Sequence, residues 1–108
     1  MMITTRVYDT NRGIAGQRIP VELDVFIQGH GWQEVGHGVT DSHGEIQDFG
    51  EQQAAGIYRL MFDIASYLPD AFFPSVAIMF EVHNTEEGYH LPLLLSPFGY
   101  SVFRGAVA

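Results

Sequence analysis

The stretch YHLPLLLSPFGYSVFRG, residues 89–105, decides the fold class predicted for this chain. Its first half places a large apolar side chain at every second position, which is the period of a β-strand: Tyr89, Leu91, Leu93 and Leu95. The Ser-Pro-Phe-Gly segment that follows predicts a turn into a short final strand. A strand, a turn and a second strand favour an antiparallel hairpin whose leucine face packs against a core.

The opposite face of this predicted strand carries His90, Pro92 and Leu94. Because the leucine face is the stronger core candidate, we expect His90 to point away from the interior of its own domain. Pro92 has no backbone N–H, so we expect the strand either at a sheet edge or with the Pro92 nitrogen where no partner is needed. An edge near the end of the chain also predicts pairing with a second subunit.

Residues with alternating polarity occupy most of the remaining chain. Residues 3–9, ITTRVYD, put Thr4 and Arg6 on one face, and further strands are predicted over 21–27, 57–63 and 76–82. The total is about eight short strands with turn signals between them, which is typical of an all-β sandwich. The connection at 64–74 is expected to hold one short helical turn that ends at Pro69.

Length and composition favour one folded domain over residues 1–108. Hydrophobic residues make up 46% of the chain and aromatic residues 13%, which is sufficient for a sheet-based core. The net charge is −8 and all five basic residues are arginines. Such a surface repels phosphate backbones and anionic lipids, so nucleic acid and membranes are not expected as partners.

The residue types also limit the chemistry that is available. The chain has no cysteine, which excludes disulfides, thiolate nucleophiles and cysteine-based zinc sites. His30, His37 and His43 stand in or near turns, but their spacing matches no recognised metal-ligand pattern. We therefore predict no metal site. The first residues, MMITTRVYDT, lack the apolar stretch of a secretory signal, so the cytoplasm is the expected location.

Five segments together resemble the transthyretin-like family, and within it the 5-hydroxyisourate hydrolases. They run in order along nearly the whole chain: TTRVYDT (4–10), GVTDSHGE (38–45), YRLMFD (58–63), AFFPSV (71–76) and YHLPLLLSPFGYSVFRG (89–105). The resemblance implies an eight-stranded, two-sheet β-sandwich that assembles as a homotetramer, a dimer of dimers. It also implies active sites in a channel at the dimer–dimer interface, and hydrolytic opening of a purine-derived ring without metal or cofactor.

The same resemblance assigns a role to His90. In the family, the histidine of the Tyr-His-x-Pro segment faces the channel and helps to activate water. The chemistry agrees, because an imidazole ordinarily titrates near pH ~6.5 and accepts a proton from water at neutral pH. Without the resemblance, a strand histidine is more often a hydrogen-bonded structural residue.

Three other positions depart from the pattern of the hydrolases, which makes this chain a divergent member of the family. The first-strand histidine of the family is Arg6 here, and the arginine that ends its Asp-Gly-Arg turn is Glu45. The terminal Tyr-Arg-Gly-Ser of the family corresponds to a segment that begins at Phe103. The first two changes resemble transthyretin itself, the hormone-carrying branch, which has lysine and glutamate at these positions.

These departures lead to specific predictions for the site. Arg6 stays charged and cannot be a base, but it can stabilise an oxyanion, and it can pair with Glu45. Phe103 lacks the tyrosine hydroxyl, which favours a substrate with methyl or aryl surface. We therefore predict His90 and Arg6 as catalytic residues, and we predict the following as substrate-binding residues: Glu45, Phe103, Pro92 and Ser101.

Two functions remain open from the sequence. The first is a hydrolase that acts on 5-hydroxyisourate or on a substituted, for example methylated, isourate. The second is a catalytically inactive carrier or scaffold whose channel binds a small molecule. The retained His90 and the intact LLLSPFGYS segment favour the hydrolase, whereas Arg6, Glu45 and the loss of the terminal serine favour the carrier.

Overall fold

A computed structural model describes residues 1–107, and all of their regular elements are β-strands. The strands, in chain order, are β1 (Ile3–Asp9), β2 (Ile14–Ala15), β3 (Pro20–Ile27), β4 (Gly31–Val39), β5 (Glu45–Ile46), β6 (Gly56–Asp63), β7 (Ser75–Val82), β8 (Tyr89–Ser96) and β9 (Gly99–Val102). The prediction of an all-β, two-sheet sandwich is confirmed.

The strands form two sheets. One has the order β2-β1-β8-β9, with β5 also paired to β1, and the other has the order β4-β3-β6-β7. β1 and β8 run parallel, and the remaining pairs are antiparallel. This parallel pair joins the first strand to the penultimate strand, so residues far apart in sequence become neighbours on one sheet.

The core lies between the two sheets and is built from the apolar positions of the alternating strands. Ile3 and Val7 of β1, Leu23 of β3, Leu60 of β6 and Leu93 of β8 are all completely buried. Each such side chain contributes roughly 1.5–3 kcal/mol by leaving water. The alternation that buries these residues turns their sequence neighbours towards the outer faces of the sheets.

The helical turn predicted within 64–74 is wrong. This segment forms hydrogen-bonded turns, in which Leu68 N donates to Ile64 O at 2.8 Å and Ala71 N donates to Leu68 O at 3.0 Å. Pro69 has no N–H to extend the first turn and disfavours helical geometry at the residue before it. The segment is therefore a turn connection between β6 and β7.

The edge position predicted for the strand that contains Pro92 is also wrong, because β8 lies between β1 and β9. The alternative prediction, a nitrogen placed where it needs no partner, agrees with the structure. Leu95 O accepts from Thr10 N on the β1 side, so by alternation the Pro92 nitrogen faces β9. On that side the pairing of β8 with β9 ends at Val102. The next contact comes from Gly105, whose N–H donates to His90 O at 2.8 Å.

Among residues 1–107 no helix is long and apolar enough to cross a membrane.

Candidate active site

The outer face of the β1–β8 pair carries the predicted catalytic residues. In the parallel register Thr4 lies beside His90, and Arg6 lies beside Pro92. The side chains of Thr4, Arg6 and His90 are all half-buried, whereas Leu91, the next residue after His90, is buried in the core. His90 therefore points away from the interior of its own chain, as the alternation predicted.

The imidazole of His90 is held on two sides. Thr4 Oγ1 lies 2.8 Å from His90 Nδ1. On another side, a Cβ atom at Gly105 would stand only 2.8 Å from His90 Cδ2 and 2.9 Å from Pro92 Cγ, so glycine permits this close approach of the last residues. In residues 1–107 no hydrogen bond joins His90 Nε2 to another group, which leaves this nitrogen available.

A shallow depression of about 400 Å³ lies beside the ring. Polar side chains and the end of the chain line it: Thr4, Glu45, Gln47, His90, Ala106 and Val107. The polar groups come from β1, from β8 and from the segment that starts at β5, and the apolar wall comes from the last residues. The depression is open to solvent in the isolated chain, so a second subunit would have room to cover it.

Arg6 and Glu45 form the ion pair that the sequence predicted. The β1–β5 register places them opposite each other, and Arg6 Nη1 lies 3.6 Å from Glu45 Oε1. This distance exceeds that of a hydrogen bond. Glu45 Oε2 instead accepts from Gln47 Nε2 at 2.5 Å, and Arg6 Nε is buried without a hydrogen-bond partner in residues 1–107. The pair is therefore loose, and Arg6 keeps donors that Glu45 does not use.

A tight turn over residues 41–45 places Glu45 opposite Arg6. Asp41 Oδ1 accepts hydrogen bonds from His43 N at 2.8 Å and from Glu45 N at 3.0 Å. The N–H groups of Glu45 and His43 lower the pKa of the Asp41 carboxyl, so the turn is held by a carboxylate at neutral pH. Gly44 has φ 76°, and a Cβ there would stand 2.5 Å from Val7 O, so this position requires glycine.

The remaining predicted site residues divide between two places. Pro92 is buried between Arg6 and the last residues, and Ser101 is exposed on β9 opposite Leu94, on the same outer face as His90. Phe103 is 52% exposed and lies in a different groove, at the edge between the two sheets. Glu45 lines the same depression as His90. Arg6 and Pro92 lie beside them on the same outer face, although Arg6 lines a neighbouring depression, and Phe103 does not join this group.

Sequence reasoning did not find Thr4, Gln47 or Gly105 as neighbours of the site. The alternation of residues 3–9 put Thr4 on the face of Arg6, which was the only available signal. Its contact with His90 spans 86 positions of the chain and depends on the β1–β8 register. Gln47 and Gly105 reach the site from segments that alternation does not describe.

A comparison with models of protein families identifies the family to which the chain belongs. Residues 3–105 match the model of the HIUase/Transthyretin family. The chain belongs to this family. The resemblance to transthyretin-like proteins that the sequence motifs carried is thereby confirmed.

Individual family members agree over nearly the whole chain. The uric acid degradation bifunctional protein TTL of Arabidopsis thaliana is 39% identical over 96% of this chain, which spans only 37% of the length of that protein. The 5-hydroxyisourate hydrolase of Salmonella dublin is 33% identical over 97% of this chain and 81% of its own length. Sea bream transthyretin, solved in complex with thyroxine, superposes with a TM-score of 0.90 at 27% identity, covering 98% of this chain and 96% of its own.

Proposed function

We propose that this family member is a cofactor-independent hydrolase that opens the ring of 5-hydroxyisourate or of a substituted isourate. The observation that carries the proposal is the His90 ring, which is fixed at Nδ1 and has no protein partner at Nε2. The relatives named 5-hydroxyisourate hydrolase support the substrate class. The cytoplasmic location expected from the sequence remains part of this proposal.

In the proposed reaction, His90 Nε2 accepts a proton from water as the water oxygen attacks a ring carbonyl carbon. The carbonyl oxygen becomes an oxyanion in a tetrahedral intermediate. Collapse of this intermediate re-forms the C=O bond and breaks the ring C–N bond, and the leaving nitrogen takes the proton back from His90. The product carries a new carboxyl group and a new N–H group, so one water molecule is consumed and no electrons are exchanged with a cofactor.

Arg6 is proposed to stabilise the oxyanion. It lies on the outer face next to His90, one pleat further along β1, at roughly 7 Å by ordinary sheet geometry. Since its contact with Glu45 is longer than a hydrogen bond, its Nη groups are available to a ligand oxygen, whereas Nε is buried. A preorganised donor of this kind contributes about 3–4 kcal/mol to an acyl-transfer barrier.

The acceptor groups of the depression suit a ligand that carries ring N–H groups. Glu45 contributes a carboxylate and Gln47 contributes a side-chain carbonyl, both within the depression that His90 lines. A purine-derived ring presents N–H donors to such groups. For a methylated analogue, the sequence-based reason was Phe103, which lies in another groove of this chain, so the unsubstituted isourate is the first substrate to test.

We propose the same assembly that the family resemblance implied, a dimer of dimers. β7 and β9 are the edge strands of their sheets and flank a common groove, so a second chain can extend both sheets there. Exposed apolar side chains accompany these edges, including Met79 at 67% and Phe98 at 81%. A second contact over the outer face of β1 and β8 would exclude bulk water from the His90 depression.

The decisive experiment follows the absorbance of freshly generated 5-hydroxyisourate with and without the protein. We expect the protein to accelerate its decay, and His90→Ala to remove at least about 100-fold of that acceleration. His83→Ala is the matched control, because His83 is an exposed histidine outside the depression. Equal decay with and without wild-type protein, for both the natural and the methylated substrate, would contradict the hydrolase.

The second candidate is a non-enzymatic carrier, which the pairing of Arg6 with Glu45 favours because it reduces the net positive charge at the site. The close superposition on a thyroxine complex of sea bream transthyretin supports the same alternative. In this case the absorbance assay shows no acceleration, and titration calorimetry with the substrate or its analogues detects binding that His90→Ala weakens only modestly.

A further inference from the structure

We propose that Thr4 is a positioning residue that fixes the tautomer of His90, with the proton on Nδ1 and the lone pair on Nε2. The inference rests on the proposed function, because the need for a base at Nε2 selects this tautomer, but the tautomer can be measured in the folded protein without any substrate. Thr4 lies beside His90 in the parallel register of β1 and β8, and its Oγ1 stands 2.8 Å from His90 Nδ1.

A threonine hydroxyl can donate or accept, so this contact admits two arrangements. If Thr4 donates to Nδ1, the ring proton of neutral His90 sits on Nε2, and the nitrogen without a protein partner is a donor that cannot take a proton from water. If Thr4 accepts from Nδ1–H, Nε2 carries the lone pair. Only the second arrangement provides a base at the available nitrogen.

Gly105 packs closely against one edge of the His90 ring. The close approach of Gly105, whose hypothetical Cβ would be 2.8 Å from His90 Cδ2, limits rotation on that side. The backbone of His90 is fixed as well, because its carbonyl accepts from Gly105 N at 2.8 Å. Thr4 is half-buried, so its hydroxyl hydrogen can point to solvent while its oxygen accepts from Nδ1–H.

Thr4 would thus take a role that a carboxylate or a backbone carbonyl has in many histidine sites, in which the partner of one nitrogen determines the chemistry of the other. Unlike a carboxylate, the hydroxyl adds no negative charge beside the ring. Removing it releases the ring to the other tautomer, and the base is then present in only part of the molecules.

The direct test is a two-dimensional ¹H–¹⁵N correlation spectrum of the histidine side chains in the full chain above pH 8. The His90 signals are assigned from their absence in His90→Ala. We expect the wild-type protein to show the Nδ1–H tautomer, and Thr4→Val to shift His90 towards the Nε2–H form. Thr4→Ser should retain the wild-type pattern. A wild-type ring protonated on Nε2, or an unchanged tautomer in Thr4→Val, would overturn the inference.

Kinetics provide the second measurement. We expect Thr4→Val to lower kcat roughly tenfold with KM changed less than about twofold, and Thr4→Ser to recover most of the loss. Thr10→Val is the control, since Thr10 Oγ1 donates to Leu95 O on the same strand pair at 3.0 Å and has no contact with His90; its kcat should be unchanged. A loss of kcat in Thr10→Val equal to that in Thr4→Val would show a merely structural role and contradict the inference.

The two proposals fail in distinguishable ways. If the wild-type protein does not hydrolyse either isourate but His90 is the Nδ1–H tautomer and responds to Thr4→Val, the proposed function is wrong and the positioning role of Thr4 stands. If hydrolysis depends on His90 but the tautomer does not respond to Thr4, the function stands and the inference about Thr4 is wrong. The wild-type spectrum tests the tautomer without any variant, and the comparison of Thr4→Val with Thr4→Ser tests the role of Thr4.

Discussion

An arginine–carboxylate pair lies on the outer face of each sheet, and these two pairs are held very differently. In the β3–β6 sheet, Arg59 donates to Asp24 Oδ2 from Nε at 3.0 Å and from Nη2 at 2.8 Å, and the Asp24 side chain is only 2% exposed. In the β1–β8 sheet, Arg6 and Glu45 share one contact of 3.6 Å and are 37% and 20% exposed. We call Asp24–Arg59 the sealed pair and Arg6–Glu45 the open pair.

An aromatic cover accounts for much of this difference. The Arg59 guanidinium stacks on Trp32 at 4.3 Å, and Trp32 in turn packs edge-on against Phe26 with ring centroids 5.4 Å apart. Such a cover keeps water from the pair and fixes the arginine plane. Within residues 1–107 the Arg6 guanidinium contacts a single aromatic ring, Tyr8, at 4.9 Å, and its side chain is 37% exposed. A sealed pair contributes to stability, whereas an open pair beside a histidine keeps donors for a ligand.

The largest effect should come from breaking the sealed pair. Asp24→Ala leaves the Arg59 guanidinium without its partner in a partly buried place. We expect a loss of roughly 2–3 kcal/mol in the free energy of unfolding, below the full penalty for a buried partner, because the Arg59 side chain keeps 26% exposure. Urea unfolding at fixed protein concentration measures it. Asp70→Ala, at an exposed position, is the control, and an equal loss in both variants would remove the distinction between the two pairs.

A smaller effect is expected for the open pair. In a double-mutant cycle of Arg6→Ala and Glu45→Ala, we expect a coupling of roughly 0.5 kcal/mol in the free energy of unfolding, as for other exposed ion pairs. Each single change should weaken substrate binding or assembly more than the double change does, because it leaves one charge unpaired. The same cycle on Asp24 and Arg59 should give a clearly larger coupling. Zero coupling between Arg6 and Glu45 would show that they do not act as a pair.

The smallest expected effect is a pH dependence beside the sealed pair. Hydrogen bonding to Asp24, followed by partial burial and by repulsion from Asp24 and Glu34, raises the pKa of Glu22 to about 7. Between the ordinary value of 4.5 and about 7, the folded state therefore holds a proton that the unfolded state has lost. This contribution to stability is fully present below pH 4.5 and is lost as the pH rises through about 7.

Glu22→Gln should remove this contribution. Between pH 5 and pH 8 we expect the free energy of unfolding to fall by more in the wild-type protein than in Glu22→Gln. Glu86→Gln, in the loop before β8, should leave the difference unchanged. If Glu22→Gln and the wild-type protein show the same pH dependence, the carboxyl of Glu22 does not share a proton in the folded state.

Alternation predicted the long strands and their faces correctly because it depends only on local geometry, but it did not predict the two-residue strands β2 and β5. Leu91 and Leu93 pack inward and His90 faces outward, and residues 3–9 behave in the same way. The turn of 64–74 was mistaken for a helical turn, since short hydrogen-bonded turns and one helical turn share their local signals. The central position of β8 was also missed. Pro92 is tolerated there because β9 ends before it reaches the Pro92 nitrogen, and no sequence pattern predicts where β9 ends.

The sequence by itself determined the sheet periodicity, the acidic surface, the family resemblance and the outward direction of His90, because each follows from local residue order or composition. The tertiary structure decided which side chains meet at the site. The parallel pairing of β1 with β8 places Thr4 against His90, the β1–β5 pairing places Glu45 against Arg6, and the path of the chain after Val102 leaves Phe103 in another groove. These contacts depend on the register between strands far apart in the chain, and register is set by how the whole core packs.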